Sequence, residues 1–290
     1  MMSTSSTATA RTPRWSTLLR ESLDRSMKEN KDSISFALTT CEGESGESST
    51  RFVVHRGFVN ERRSNEDSSW STNPSEDARG EKLVNDNLIV TTDVRYANTD
   101  HLNGKNEKCN KLMGSLLSLC SAPKALALEA NPTTSLAWWH LPTMTQFRIR
   151  SQAYLIKPPS QGTHTPAEIL DRLSPGDDFD WEQERIRIFH KMSPELRASF
   201  VRPVPGSKLG DKGETEEWPK ELPASEEEAK GEKEKAQIKE ALDHFALIIM
   251  EPYDVDVCDL GAQPNTRVHF FRKKGVGWQG AEWKEEDVVP

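Results

Sequence analysis

Two arginines bracket a short apolar run near the start of the chain, Arg51-Phe52-Val53-Val54-His55-Arg56-Gly57. Read with a period of two, Arg51, Val53 and His55 share one face, Phe52, Val54 and Arg56 the other, and Gly57 permits a sharp change of direction. Guanidinium groups fixed at both ends of a strand suit an oxyanion, a phosphate above all. An edge strand kept soluble by arginines would read the same way. A second polar row lies far downstream, where Gln146, Arg148, Arg150 and Gln152 alternate with Phe147, Ile149, Ala153 and Leu155. That row either lines a ligand site or is the wet face of a half-exposed antiparallel strand. No Ser-His-Asp set and no acid pair is visible, and the seven histidines and four cysteines show no metal-ligand spacing.

The elements that must position these residues can be read in order. Thr12-Pro13-Arg14 opens a helix with Trp15, Leu18, Leu19, Leu23 and Met27 at helical spacing. Residues 33–40 and 51–58 read as an antiparallel hairpin, and Asn87 to Thr92 as the next strand. A helix is expected over 109–119 and a short one over 125–130, stopped by Asn131-Pro132. Ser135 to Leu141 is an apolar strand carrying Trp138 and Trp139, followed by the turn Pro142-Thr143-Met144 and the strand from Gln146 to Leu155. Helices follow over 165–173 and within 180–200, the latter with a serine cap at Ser193. Residues 236–245 form another helix. Strands then cover 246–251, 254–260 and 267–272, with a last one near the C-terminus.

Composition bounds the rest. The 290 residues are 34% hydrophobic and 29% charged, with a net charge of -8 and a mean hydropathy of -0.72. That is lean for a fully packed chain. Residues 1–12 are accordingly read as a disordered tail, 13–290 as one domain, and about 60–82 and 207–235 as disordered polar insertions. The acidic balance argues against nucleic acid, which needs a basic footprint. No run is long enough for a transmembrane helix, so no membrane partner is expected. The scattered cysteines Cys41, Cys109, Cys120 and Cys258 read as free thiols of a reducing, cytoplasmic compartment.

The order of these parts resembles the pyridoxamine 5′-phosphate oxidase-like family of FMN-binding split barrels, and within it the subgroup known mainly for binding FMN. The resemblance rests on Pro13-Arg14-Trp15, RFVVHRG at 51–57, VTTDVR at 90–95, and SLAWWH followed by QFRI within 135–149. It continues through LRASFVRPVPG at 196–206 and the block from 245 to 290. It implies an α+β, mainly antiparallel split β-barrel with surrounding helices, and a homodimer with FMN at the interface. For the cofactor it implies Arg51, the strand backbone at Val53, Arg56, Thr91, Thr92, and Gln146 reaching across from the partner. For a small anionic substrate it implies Arg267 and His269, with Arg56 nearby. Where the oxidases carry Ser-Arg-Lys to grip the phosphate, this chain has Tyr96-Ala97-Asn98, so Arg95 is expected to substitute. The oxidases' tryptophan before Arg267 is replaced by Val257-Cys258-Asp259-Leu260, and a glycine by Ser151. The activity implied is hydride transfer from an amine or alcohol to FMN, with reoxidation by oxygen. The alternative is a flavin-binding or flavin-less barrel without catalysis.

Overall fold

A computed structural model describes residues 12–41, 46–62, 70–95, 123–162, 165–205, 207, 209, 214–275, 277 and 282–290. The tail at 1–11, the helix expected over 109–119, Tyr96-Ala97-Asn98, Cys109, Cys120 and Trp278 lie outside the described residues.

The fold is α+β with an antiparallel sheet of eight strands. The hairpin β1 (Ser35–Cys41) and β2 (Ser48–Val54) pairs in register, Leu38 opposite Arg51. β1 then pairs β4 (Thr133–His140), β4 pairs β5 (Thr145–Ile156), and β5 pairs the long β6 (Phe245–Asp259). The far side of β6 is divided. Its first half takes β3 (Leu88–Asp93), its second half takes β7 (Thr266–Phe271), and β7 carries β8 (Lys284–Asp287). The barrel closes where the chain leaves β2: the Arg56 amide donates to the Ile89 carbonyl at 2.8 Å, and the Ile89 amide to the Gly57 carbonyl at 3.0 Å.

β6 joins what the sequence presents as two strands. Its register against β5 shifts at Arg150/Ser151, where Arg150 faces Asp254 and Ser151 faces Pro252. A proline cannot donate to the ladder and is tolerated at such an irregularity, so Pro252 bends the strand without ending it. Residues 245–250 are buried throughout because they serve two cores. Ile248 and Met250 face the barrel interior with Phe36, Leu38, Trp138 and Phe147, whereas Leu247 and Ile249 face a second core. A strand covered on both faces loses the alternation of a half-exposed one.

Helix α1 (Arg14–Glu29) plugs the barrel with Trp15, Leu19 and Leu23, and its buried serines Ser16, Ser22 and Ser26 allow close approach. Helix α2 (Pro123–Ala130) lies on the same core through Ala125 and Leu128. The second core is covered by α3 (Ala167–Leu173), α4 (Trp181–His190), α5 (Pro194–Ser199) and α6 (Glu232–His244). Ser193 caps α5 by accepting from the Leu196 amide, as its sequence predicts.

Parts of the two polar stretches read as disordered insertions are packed instead. Asn60 donates to the carbonyls of Pro74 and Leu83, both at 2.8 Å, and Asn73 donates to the Asp180 carbonyl at 2.8 Å. Within 207–235, Leu222 is buried, its amide donates to the Pro194 carbonyl at 3.0 Å, and its own carbonyl accepts from Arg197. Composition alone misses this, because a few side-chain-to-backbone bonds and one buried leucine can fix a segment that has no apolar periodicity.

Candidate functional site

Arg51 stands on the barrel-facing side of β2, and its Nη1 donates to the buried Thr40 hydroxyl at 2.8 Å. After Val54 the chain leaves the ladder, and Gly57 adopts a φ of 115°. An added Cβ there would meet only Glu61 Oε2 at 3.7 Å, so the glycine is required by conformation and not by space. This turn interrupts the alternation that would send the two arginines to opposite faces. Arg56 becomes partly enclosed, with a buried Nε that has no hydrogen-bond partner. Burial lowers its pKa from the ordinary guanidinium value.

The third cation comes from α2. Lys124 stands in its first turn and donates from Nζ to the Thr91 carbonyl at 2.9 Å. Burial first, and then the charges of Arg51 and Arg56, push the Lys124 amine down to about 8. Among the described residues no carboxylate forms an ion pair with Arg56 or Lys124. Arg56 and Lys124, sheltered and without an ion-paired carboxylate, are set up for an anion, and a doubly charged oxyanion matches a fork and an ammonium, with the Arg51 guanidinium close enough to act on Lys124. Sequence reasoning passed over Lys124. Its only signal is a lysine directly after Pro123, at the start of a helix whose Ala125 and Leu128 must face inward.

Thr91 contributes its carbonyl to this group, and Thr92 is buried with its hydroxyl donating to the Asp93 carbonyl at 3.1 Å. Val53 lines the barrel core. Arg95 is used differently from expectation. It ion-pairs with Asp93 at 2.6 Å and donates to the Arg202 carbonyl, tying the end of β3 to the segment after α5. The cation that joins Arg51 and Arg56 is therefore Lys124, not Arg95. A two-residue spacing from Asp93 makes the local pair available as soon as β3 ends.

A second group lies on the outer face of β5, β6 and β7, separated from Arg51 along the sheet by β1 and β4. Gln146, Cys258 and Arg267 are aligned across these three strands. Arg267 grips Asp256 through Nε at 2.8 Å and Nη2 at 2.6 Å, and Arg148 reaches the same carboxylate at 3.3 Å. His269 Nε2 lies 3.1 Å from Asp254, which also pairs with Arg150 at 3.2 Å. Burial works to raise the Asp256 pKa, but the Arg267 hydrogen bond and the surrounding charges prevail and hold it below the usual carboxylate range. Arg148, Arg150, Asp254, Asp256, Arg267 and His269, with Ser135 and Val288, line a cleft of about 470 Å³, a size suited to a small ligand. The structure thus brings Arg267 and His269 together with Arg148 and Arg150, and adds Asp254 and Asp256. Their signal in the sequence is the alternation Asp254-Val255-Asp256-Val257.

Fold and site together define a split β-barrel with a sheltered cationic group at one end and a polar cleft on its outer face. The sequence is consistent with that class: residues 12–157 match the family described as pyridoxamine 5′-phosphate oxidase, FMN-binding domain. The chain belongs to that family. Among solved structures, a pyridoxamine 5′-phosphate oxidase-related, FMN-binding protein from Nostoc punctiforme PCC 73102 aligns with a TM-score of 0.58 at 18% identity. The alignment covers 97% of this chain and 100% of that one. PhzG from Burkholderia lata 383, solved with tetrahydrophenazine-1-carboxylic acid, aligns with a TM-score of 0.47 at 15% identity, over 94% of this chain and 91% of that one. No curated protein matches the sequence. No helix among the described residues is long and apolar enough to cross a membrane.

Proposed function

We propose that this chain binds FMN and acts as a flavin-dependent oxidoreductase on a small anionic amine or alcohol. The observation that carries the reading is the buried, unpartnered Nε of Arg56 beside Lys124. Arg51, Arg56 and Lys124 fit the phosphate group of FMN in charge and donor type, and the Thr91 carbonyl holds Lys124; Thr92 would meet the flavin from the same strand. Bound FMN would supply the redox chemistry, taking up a hydride and passing its electrons on to oxygen. The chain's own residues bind and orient. Arg267 would hold the anionic group of the substrate, His269 would align it, and Gln146 would donate to the edge of the ring system.

Arg51 and Arg267 belong to separate groups within one chain, so the reading includes a homodimer in which one copy supplies the cationic group and the other supplies Gln146, Arg267 and His269. The exposed apolar side chains Phe52 and Trp139 on β2 and β4 favour such a contact. A cytoplasmic location belongs to the same reading, in keeping with the free thiols Cys41 and Cys258.

The test is a visible absorption spectrum after FMN is added and the protein desalted. A retained flavin band, weakened by Arg56→Gln and by Lys124→Met, is the expected result. Protein that returns colourless at high FMN overturns the reading. Turnover of pyridoxamine 5′-phosphate or pyridoxine 5′-phosphate then tests catalysis. One observation favours a second reading, a flavin-binding module without turnover: Arg267 and His269 are already engaged by Asp256 and Asp254.

A further inference from the structure

The outer cleft holds two carboxylates among its cations, and their arrangement has a consequence for what can bind. Three guanidinium groups and one imidazole share Asp254 and Asp256, so the two carboxylates offset most of the arginine charge. Arg148 and Arg150 are about half exposed and Arg267 less so, and each Asp side chain is largely sheltered beneath them. Arg148 comes closest to its aspartate through Nη2, and Arg267 hydrogen-bonds through Nε and Nη2, so Nη1 of each makes no hydrogen bond to the carboxylate and is left for a ligand. A simple dianion entering here must compete with two carboxylates for the same arginines and meets their repulsion.

We propose that Asp254 and Asp256 are specificity-determining residues that make this cleft select an amphoteric ligand, one carrying an ammonium as well as an anionic group. The anionic group takes the free guanidinium nitrogens. The ammonium takes a carboxylate oxygen, most directly Asp254, whose hold on Arg150 and His269 runs through contacts of 3.1 to 3.3 Å. These are longer and weaker than the grip of Arg267 on Asp256. A charge-assisted ammonium–carboxylate bond is about twice as strong as its neutral counterpart. An alcohol in the same place gives the cleft one neutral hydrogen bond and leaves the carboxylate charge unmet. The proposal rests on the reading that Arg267 and His269 face the substrate, and it divides that reading's two substrate types, amine over alcohol.

The experiment is calorimetric titration of the purified full-length protein with pyridoxamine 5′-phosphate and, separately, pyridoxine 5′-phosphate, at pH 7 and in the presence of FMN. The two probes share ring and phosphate and differ at one substituent, amine against alcohol. Wild-type protein is expected to prefer the amine about tenfold, the difference between a charged and a neutral hydrogen bond. Asp254→Asn is expected to reduce that preference to within about twofold, chiefly by weakening amine binding. Asp256→Asn is expected to tighten binding of the alcohol by relieving repulsion at Arg267. Equal affinity for the two probes in the wild type, a preference unchanged in Asp254→Asn, or failure of both probes to bind would each overturn the proposal. The flavin spectrum is recorded on the same samples. Colourless protein that still prefers the amine sinks the FMN assignment and leaves this inference standing, whereas yellow protein without the preference does the reverse. Thermal melting of the asparagine variants shows that they are folded, and Asp254→Glu, which keeps the charge, should retain the preference.

Discussion

The three-cation group makes a specific prediction about how binding depends on pH. Lys124 sits near a pKa of about 8 without ligand, because burial and two neighbouring guanidinium groups oppose its charge. A phosphate dianion placed among the three cations reverses the second cause and favours the ammonium, raising the pKa of the complex. Binding of FMN is then linked to proton uptake by Lys124. Below pH 8 the amine is already charged and affinity should not change on this account. Above it, each pH unit removes about a factor of ten until the pKa of the complex is reached, so the dissociation constant at pH 9 should exceed that at pH 7 by about tenfold. Arg51 and Arg56 stay charged throughout and contribute no slope. The assay is quenching of FMN fluorescence on titration with protein between pH 7 and 9.5. Lys124→Arg should flatten the profile while keeping tight binding, since its charge does not titrate there. Lys124→Met should flatten it at weaker affinity. A wild-type affinity constant from pH 7 to 9.5, or a slope that survives in Lys124→Met, would refute the assignment of Lys124 to the phosphate.

Other outcomes follow from buried groups elsewhere. His140 is fully buried, its Nδ1 is 3.1 Å from the Ser26 hydroxyl, its Nε2 has no partner, and burial lowers its pKa from 6.5 to about 4. The folded state therefore binds fewer protons than the unfolded one below pH 6.5, and stability should fall by about 1.4 kcal/mol per unit between there and pH 4. Urea midpoints for wild type and His140→Gln check this, with the variant losing that part of the slope. Glu184 and Arg187 form a buried pair at 2.7 Å, and Glu184 also accepts from the Asn60 amide at 3.0 Å. Glu184→Gln should cost about 3–5 kcal/mol by removing the carboxylate charge paired with the buried Arg187 guanidinium, read from chemical denaturation. Gly57→Ala forces an L residue to a φ of 115°, at a cost of about 1–3 kcal/mol. It should weaken FMN retention as well, because Arg56 depends on that turn.

Much of the fold was legible from local patterns. The amphipathic α1, the hairpin of β1 and β2, the alternating β5 and the serine cap of α5 each carry their signal within a few residues, where periodicity and capping chemistry act. The strands bearing Arg51, Thr91-Thr92, and Arg267 with His269 were likewise legible from their alternation. Beyond the range of local signals lay the union of two strands into β6 across Pro252, and the anchoring of residues 214–231 by Leu222.

The sequence by itself determined which side chains could meet an anion and which face of each strand they occupy, because residue type and a two-residue period are local properties. Only the tertiary structure decided which cations act together. Lys124 is far from Arg51 and Arg56 in the chain, and the closure of β2 onto β3 beneath α2 brings their charges onto it. Arg95, the nearer candidate by sequence, is withdrawn by Asp93 two residues before it. Likewise Asp254 and Asp256 are ordinary strand residues until β6 lies between β5 and β7, where each shares its carboxylate with a nitrogen-bearing side chain from either side. Charge interactions act through space and fall off with distance, so the pairing of strands, not proximity along the chain, selects the partners.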